Sequence, residues 1–526
     1  MHRKDAMNRP LTDSMDFKTN QDSTIALRSN KNKSVNNGAR GISVLRKSGE
    51  NGSLTADSTG QKKIMVTGKK FHLIGAGGIG MSGLAVLLIK NNAVVTGSDQ
   101  EKTHVTNHLC ELGADIKVGH DASHLCSDID AVVISAAITE SNPELQQARK
   151  QGCKVYKYAA MLGEVMDFYE GIAVAGTHGK STTSGWLTYL LKQAKIDTNY
   201  VIGADICQLH SSSGVGESPY FVAEACEYDR SFLNLKPKIA CLLNIEPDHL
   251  DYYKDEAEIV EAFDDFANGI KPGGMVIANG QDENVLKIIK RFDKSINYKT
   301  FGLDKNCDFY ADNLSTENGL YSFDVYERGQ FLGRARISLP GKHNVYNALA
   351  VTAMAVSIGL EPKKVIELLG DFTGMDRRLM FKGHFNGITV LDDYAHHPTE
   401  IMASLAAIRD RYNPNRLWCI FQPHQYSRTR FLLDDFTESF KLADLTIVPE
   451  IYFVRDSLES KTQINARILV EKIKAAGSEA LFIDCFGAIC DYIKSNARPG
   501  DVIVTMGAGD IWKVADEYIQ WFRRNS

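Results

Sequence analysis

The segment from Gly171 to Trp186, GIAVAGTHGKSTTSGW, has the residue types of a phosphate-binding loop. An apolar strand pattern leads into a turn with two glycines, and Lys180 directly precedes Ser181 at the start of a helical pattern. In such a layout the ammonium contacts the β- and γ-phosphates, the hydroxyl binds Mg²⁺, and loop N–H groups hold phosphate oxygens. Val174 stands where the common G-x-x-x-x-G-K-[ST] pattern has a glycine. The segment predicts a nucleotide site with a shortened loop; a simple Gly-Lys helix start is the alternative.

Two later positions suit a metal bound beside that loop. Glu224 ends the next apolar run, and Asp248 and His249 end the one after it. Because Mg²⁺ prefers oxygen ligands, we expect Ser181 and Glu224 to hold it, while His249 fits Mn²⁺ or a tightly held Mg²⁺. A helix N-cap is the alternative for Asp248, but it explains the histidine less well.

A second glycine cluster, LIGAGGIGMSG from Leu73 to Gly83, follows an apolar run, and Asp99 closes the next one. Glycines let backbone N–H groups at a helix N-terminus approach a pyrophosphate, and the acid can bind ribose hydroxyls. Alone, the cluster predicts an NAD site, although any nucleoside diphosphate fits the same pattern. A glycine turn that only packs a helix against a strand is the other alternative.

Two polar segments in the last third of the chain carry further candidates. DDYAHHPTEI, from Asp392 to Ile401, places Tyr394, His396 and His397 before a proline suited to the first turn of a helix. FQPHQYSRTR, from Phe421 to Arg430, ends in arginines that suit a carboxylate or a phosphate. Both follow strand patterns, and α/β sheets bind ligands at the carboxyl ends of their strands. The alternative for DDYAHHPTEI is a loop whose polar residues only bond to one another, and the alternative for FQPHQYSRTR is a solvated basic loop.

These motifs lie where short apolar runs alternate with helical patterns, which predicts βαβ units and parallel sheets. Three such series follow one another along the chain. We therefore predict an α/β protein with a Rossmann-like domain over residues 69–168, a central P-loop ATPase-like parallel sheet over 169–340 and a C-terminal Rossmann-like domain over 341–526.

Residues 1–68 have a different composition. Residues 1–70 hold fourteen Lys/Arg against six Asp/Glu and lack apolar periodicity, which predicts a disordered basic tail. A transit peptide is the competing interpretation, and the acidic residues Asp5, Asp13, Asp16 and Asp22 weaken it.

The whole-chain composition narrows the class of protein. The net charge of −5 argues against nucleic acid as a partner, and no apolar run approaches the roughly 20 residues that span a bilayer. The 10 cysteines are scattered, which favours a reduced, cytoplasmic compartment over disulfides or structural zinc.

Together these segments resemble the Mur ligase family, whose members build the peptide stem of peptidoglycan. The likeness runs from about Phe71 to the C-terminus, and GTHGKSTT matches that family's own short P-loop. It is greatest to members that join L-alanine to UDP-N-acetylmuramate. The set that carries it is HLIGAGGIGMSGLA, EACEYDRSFL, NIEPDHLDYY, GKHNVYNALA, DDYAHHPTEI, FQPHQYSRTR and MGAGDI.

The resemblance implies a catalytic ATP and metal site. It assigns Lys180 to the catalytic neutralisation of the transferring phosphoryl group, and metal ligation to Ser181, Glu224 and His249. By their chemistry alone, His249 and His396 are the catalytic candidates for the base that removes the amine proton of the amino acid. The cofactors implied are ATP and Mg²⁺, with Mn²⁺ as a substitute. The residues implied for ATP are Gly176, Thr177, His178, Gly179, Lys180, Ser181, Thr182, His343, Asn344 and Asn347.

The resemblance also implies two substrate sites and replaces NAD by a UDP-sugar at the N-terminal glycine turn. UDP-N-acetylmuramate and L-alanine are the expected substrates of a monomer or weak homodimer. The residues implied for the UDP-sugar are Gly77, Gly78, Asp99, Arg377 and Arg378, and those for the amino acid are Tyr394, His396, His424 and Arg428.

Three positions depart from the family pattern. Gln425 stands where a basic residue is common, Ala395 where glycine is usual, and Cys226-Glu227-Tyr228 where Asp-Glu-Ser is frequent. These departures bear on affinity for the amino acid and leave the ATP motif intact.

The implied reaction converts the muramoyl carboxylate to an acyl phosphate, which the amine of L-alanine then attacks. Three alternatives remain. One is a family member that attaches a ready-made stem peptide during wall recycling, one is an NAD-dependent oxidoreductase, and one is a non-catalytic nucleotide-binding regulator. QPHQYSRTR favours L-alanine over a stem peptide, and an oxidoreductase would leave GKSTT, Glu224 and His249 unexplained. Intact Lys180 and Glu224 argue against the regulator.

Overall fold

The computed structural model describes residues 66–454, 456 and 459–525, so nearly all of the predicted tail lies outside the described residues. Three sheets follow one another in chain order, each flanked by helices, and this confirms the predicted α/β class with parallel-sheet domains. Within the described ranges, every helix is too short or too polar to cross a bilayer.

The N-terminal sheet has five parallel strands in the order β3-β2-β1-β4-β5. The chain reverses its direction of winding between β1 and β4, so the glycine turn after β1 lies where such sheets bind ligands. The elements are β1 Lys70–Ile74, α1 Ile79–Lys90, β2 Val94–Asp99, α2 His104–Glu111, β3 Asp115–Val118, β4 Ala131–Ile134, α3 Pro143–Lys150, β5 Lys154–Lys157 and α4 Tyr158–Met166.

The central sheet has ten strands in the order β15-β14-β13-β12-β11-β10-β6-β9-β7-β8. Strand β6 pairs in parallel with β9 and β10, so the loop after it leaves the middle of the sheet. The elements are β6 Glu170–Ala175, α5 Lys180–Gln193, β7 Asn199–Ile206, β8 Ser211–Gly214, β9 Tyr220–Glu224, β10 Ile239–Leu242, α6 Glu256–Asn268, β11 Met275–Asn279, α7 Glu283–Ile289, β12 Asn297–Gly302, β13 Phe309–Glu317, β14 Leu320–Glu327, β15 Gln330–Pro340, α8 His343–Ser357 and α9 Pro362–Leu368.

Helices α8 and α9 lie beyond the predicted boundary at residue 340, yet they pack on the central sheet. Val345 and Leu349 of α8 and Val365 of α9 share one buried apolar cluster with Ile172 of β6 and Trp186 of α5. By packing, these helices belong to the central domain.

The C-terminal sheet has six strands in the order β16-β17-β21-β18-β19-β20, with β16 as an antiparallel edge. The two polar motifs follow β17 and β18, on either side of β21, so both begin at the same edge of the sheet. The elements are β16 Met380–Phe385, β17 Ile388–Asp393, α10 Pro398–Tyr412, β18 Arg416–Phe421, α11 Tyr426–Phe431, α12 Leu433–Ser439, β19 Leu445–Val448, α13 Ser460–Gln463, α14 Ala466–Ala475, β20 Ala480–Phe482, α15 Phe486–Asn496, β21 Asp501–Met506 and α16 Trp512–Asn525.

The first two domains share apolar packing. Leu84 and Met161 of the N-terminal domain belong to one buried cluster with Phe221 and Phe263 of the central domain. A Cβ at Gly83 of α1 would lie 3.1 Å from Val201 of β7, so the two domains meet closely there. As far as the described residues go, the buried clusters on the two faces of the C-terminal sheet contain only residues of that domain.

Candidate active site

The nucleotide loop between β6 and α5 has no room for side chains at its two glycines. Gly179 has a φ of +83°, and a Cβ there would lie 2.9 Å from Asn347 Oδ1 of α8. Gly176 has a φ of +153°, and a Cβ there would lie 2.9 Å from Leu243 Cβ. Glycine is therefore required at both positions by conformation and by close approach.

The backbone of the loop is held by the segment after β10. The N–H groups of Thr177 and His178 donate to the carbonyl and side-chain oxygens of Asn244, at 2.9 Å and 2.7 Å. The first turn of a helix leaves its N–H groups without intrahelical acceptors, so residues 180–182 of α5 present donors for an anion. Of the predicted ATP loop, this first turn is best placed to bind phosphate.

Lys180 is held at the loop by three acceptors. Its Nζ donates to the carbonyls of Gly176 at 2.6 Å and Thr177 at 3.0 Å, and to Glu227 Oε1 at 3.0 Å. Burial acts to lower the pKa of Lys180, but neighbouring negative charges, Glu227 first among them, raise it above its usual value. The ammonium therefore stays charged at neutral pH.

Two of the three predicted metal ligands are in contact. Ser181 Oγ donates to Glu224 Oε2 at 2.8 Å, which places two oxygen ligands of the kind that Mg²⁺ prefers side by side. The third, His249, faces two other carboxylates, with Nε2 3.7 Å from Glu227 Oε1 and 3.8 Å from Asp248 Oδ2. Its Nδ1 is buried and has no hydrogen-bond partner among the described residues. The donor set fits a hard divalent cation at Ser181 and Glu224.

A cavity of about 650 Å³ extends from the loop to the C-terminal domain. The three residues of α8 that the resemblance implies for ATP, His343, Asn344 and Asn347, line it. Asn347 Nδ2 donates to Asn344 Oδ1 at 3.0 Å, and Asn344 Nδ2 donates to the Pro340 carbonyl at 2.7 Å. Burial lowers the pKa of His343 to about 4, so a neutral ring faces the cavity. His178, Gly179 and Thr182 line the same cavity.

The predicted amino-acid residues also come together. The rings of Tyr394 and His396 meet edge to face at 5.3 Å, the rings of His396 and His424 are 6.3 Å apart, and Arg428 Nη1 lies 3.4 Å from His424 Nδ1. His396 Nδ1 lies 3.0 Å from the Tyr394 carbonyl, which can only accept, so Nδ1 carries the proton. Burial lowers the pKa of His396 to about 4, which leaves a neutral ring with an unprotonated Nε2.

Arg428 also joins two domains. Its Nε and Nη2 lie 3.0 Å and 2.9 Å from Asp248 Oδ1, and both side chains are buried. Burial acts to raise the pKa of Asp248, but the Arg428 charge, followed by nearby histidines, holds it well below its usual range. Arg428, which is predicted to bind the amino acid, is thus held by Asp248, the residue before His249.

Three family models match consecutive parts of the chain. The Mur ligase family catalytic domain matches residues 70–170, the Mur ligase middle domain matches 174–355, and the Mur ligase glutamate ligase domain matches 377–509. The chain belongs to the Mur ligase family.

Curated Mur ligases and solved structures resemble it over most of its length. UDP-N-acetylmuramate–L-alanine ligases from Caldanaerobacter subterraneus subsp. tengcongensis and Acetivibrio thermocellus are 41% and 42% identical over 86% of this chain and 97% and 96% of theirs. The structure of the Thermotoga maritima UDP-N-acetylmuramate-alanine ligase matches with a TM-score of 0.74 at 27% identity, covering 87% of this chain and all of that one. A murein peptide ligase from Psychrobacter arcticus matches with a TM-score of 0.66 at 26% identity, covering 86% and 98%.

In this Mur ligase, the predicted UDP-sugar residues are divided between two domains. Asp99 Oδ2 accepts the Gly77 N–H at 2.8 Å and so braces the N-terminal glycine turn. Arg377 lies in the C-terminal domain, where it donates to Asp392 at 2.9 Å, and both Arg377 and Arg378 stack over Tyr394 at 5.2 Å and 5.0 Å. The arginines thus lie next to the predicted amino-acid residues.

A fully buried carboxylate organises the sheet edge beside Asp99. Glu144 Oε2 lies 2.8 Å from His72 Nε2 and accepts from Ser98 Oγ at 2.7 Å, and Glu144 Oε1 lies 3.1 Å from His124 Nδ1 and accepts the Asp121 N–H at 3.1 Å. Burial acts to raise the pKa of Glu144, but these hydrogen bonds, that of His72 first, lower it to about 2. We call this group the Glu144 cluster.

The sequence reasoning gave no role to Glu227, Glu246 or Glu400. Glu246 Oε2 lies 3.4 Å from His178 Nε2 and accepts from Thr399 Oγ1 at 2.6 Å. Glu246 lies in NIEPDHLDYY, Glu400 in DDYAHHPTEI, and Glu227 in the triplet that departs from the family pattern. Nothing in the spacing pairs them with the phosphate loop.

One trio among the described residues, His178, Glu246 and His397, has ligand atoms within 4.8 Å of one another, as a metal site would. Its hydrogen bonds explain it without a metal. His397 Nε2 lies 3.2 Å from the Pro247 carbonyl, and its Nδ1 accepts the Thr399 N–H at 3.3 Å. We therefore interpret the trio as a hydrogen-bonded network between domains.

Proposed function

We propose that this chain is an ATP-dependent ligase that joins L-alanine to the carboxylate of UDP-N-acetylmuramate in peptidoglycan synthesis. The observation that carries the proposal is the 41% identity over 86% of the chain to curated ligases of that name. The grouping of Tyr394, His396, His424 and Arg428 at one sheet edge supports an amino-acid site beside the nucleotide cavity.

The chemistry begins at the phosphate loop. A carboxylate is a poor acyl donor, and ATP converts it to an acyl phosphate when the carboxylate attacks the γ-phosphorus and ADP leaves. The ammonium of Lys180 and the first-turn N–H groups of α5 stabilise the charge that spreads over the transferring group. Mg²⁺ held by Ser181 and Glu224 would neutralise phosphate charge.

The second step takes place at the C-terminal sheet edge. The neutral amine of L-alanine attacks the acyl carbon, and phosphate leaves as the tetrahedral intermediate collapses. We assign removal of the amine proton to His396 rather than to His249. This assignment rests on the neutral His396 ring, whose Nδ1–H points at the Tyr394 carbonyl and leaves Nε2 as the acceptor.

The test is phosphate release from ATP and Mg²⁺ with UDP-N-acetylmuramate, comparing L-alanine, glycine, L-serine and the stem tripeptide as acceptors. We expect release that depends on L-alanine. Release with the tripeptide alone would contradict the proposal and assign the chain to the ligases that attach a ready-made stem peptide. That function is the second candidate, because the structure resembles the murein peptide ligase of Psychrobacter arcticus.

The proposal also covers the cellular compartment and the oligomeric state of the enzyme. We place it in the cytoplasm, and the ten unpaired cysteines support a reducing compartment. We expect a monomer or a weak homodimer with no nucleic acid or membrane partner, which sedimentation of the purified chain would check.

A further inference from the structure

Glu400 contacts all three of the predicted substrate-binding groups. It lies in the first turn of α10, and its side chain is 14% exposed. One oxygen, Oε2, accepts the His396 N–H at 3.1 Å and lies 3.4 Å from His396 Nδ1. The other, Oε1, lies 3.2 Å from Nδ1 of His178 in the phosphate loop and 3.9 Å from Arg378 Nη1.

We propose that Glu400 is a positioning residue that couples the ATP loop to the L-alanine site, with His178 on one oxygen and the His396 backbone on the other. We call these three residues the Glu400 bridge. The inference rests on the proposed function, since it names how two substrate sites of that ligase act on each other.

Helix capping explains only one of the contacts that Glu400 makes. A glutamate in the first turn commonly accepts a backbone N–H just before its helix, and this accounts for the bond to His396. It does not account for the second oxygen, which faces an imidazole from another domain, 222 positions away. His178 is itself fixed by its backbone bond to Asn244, so its ring has a defined direction.

The charges favour the bridge. Burial acts to lower the pKa of His178, but its hydrogen bonds to Glu246 and Glu400 raise it to about 9, so the ring is an imidazolium at neutral pH. Burial acts to raise the pKa of Glu400, but the neighbouring imidazoles, first His396 and then the hydrogen-bonded His178, hold it well below its usual range. His178 and Glu400 are each 14% exposed, so their opposite charges form a partly buried pair whose attraction holds both side chains in place.

The consequence is a link between two binding steps. A phosphate loop closed on ATP holds the His178 ring toward Glu400, and Glu400 in turn fixes the loop that presents His396 to the amino acid. Loss of either bridge residue should weaken L-alanine binding, even though His178 belongs to the ATP site.

The experiment compares Glu400→Gln, His178→Gln and the double variant by phosphate release at saturating UDP-N-acetylmuramate. Glutamine keeps the shape of glutamate and removes its charge. We expect each single variant to raise the KM for L-alanine about tenfold, and the double variant to be no worse than the worse single one. Glu438→Gln, a surface residue of α12 paired with Lys441, is the control that should leave all constants unchanged.

The outcomes separate the two claims. Wild-type release that requires L-alanine establishes the proposed function, and its absence would refute that function rather than the bridge. With that activity in hand, His178→Gln changing only the KM for ATP, or effects that add in the double variant, would overturn the bridge. If Glu400→Gln fails to fold, the L-alanine KM of His178→Gln still decides the matter.

Discussion

Two carboxylates, Glu144 and Glu400, each contact several histidines, and they differ in what they connect. The Glu144 cluster joins β1, β2 and the loop after β3 within one domain, and Glu144 is fully buried. The Glu400 bridge joins the phosphate loop of the central domain to the C-terminal domain at the rim of the cavity. Similar chemistry therefore serves stability in the first case and, we propose, communication between substrates in the second.

Lys180→Ala should have the largest effect of the changes considered, and it tests the phosphate loop that the Glu400 bridge contacts. The ammonium is assigned to the transition state, so kcat should fall by about 10³-fold or more. Phosphate release measures this, with Lys192→Ala, on the same helix and paired with Asp197, as the control. A retained kcat would mean that the loop is only a helix start.

Glu144→Ala should lower the stability of the N-terminal domain, because it removes the carboxylate at the centre of the Glu144 cluster. Removing a buried charge that satisfies several donors costs about 3 to 5 kcal/mol of unfolding free energy. Urea unfolding of the full chain would show this, while kcat of the folded fraction should fall far less than in Lys180→Ala. Glu140→Ala removes an exposed surface partner of Arg149 and is the control. An unchanged midpoint would show that the cluster does not stabilise the domain.

The pH dependence should distinguish the two groups. The pKa of His178 is raised from 6.5 to about 9, so its stabilisation is fully present below about pH 6.5 and lost as the pH rises through about 9. The pKa of Glu144 is lowered from 4.5 to about 2, so its stabilisation is present above about pH 4.5 and lost as the pH falls toward 2.

We therefore expect the difference in melting temperature between wild type and His178→Gln to shrink between pH 6.5 and 10. The difference between wild type and Glu144→Ala should stay constant over the same range. A constant difference for His178→Gln would contradict the assignment of an imidazolium to the bridge.

Deleting residues 1–65 should have the smallest effect. The match to the family models begins at residue 70, and 86% of this chain covers 97% of a curated relative, so kcat/KM should stay nearly unchanged. A large loss in the phosphate-release assay would give the tail an active role.

The sequence predicted the parts of the site that depend on local pattern. The glycine loop, its position after a strand, and the pairing of Ser181 with Glu224 followed from spacing along βαβ units. The bond between His178 and Glu400 could not be predicted in this way, because it depends on how two separately folded sheets dock. The same holds for Arg428 and Asp248, whose ion pair crosses between domains.

The shared apolar cluster of the first two domains has a consequence for synthesis of the protein. Leu84 and Phe263 pack in one cluster, whereas Leu391 and Phe421 pack in another that contains only C-terminal residues. Because a ribosome makes the chain from its N-terminus, the first two domains can reach their final packing before the last sheet has emerged. The nascent chain would thus hold a folded glycine loop between β6 and α5 while the residues predicted to bind the amino acid are still being translated.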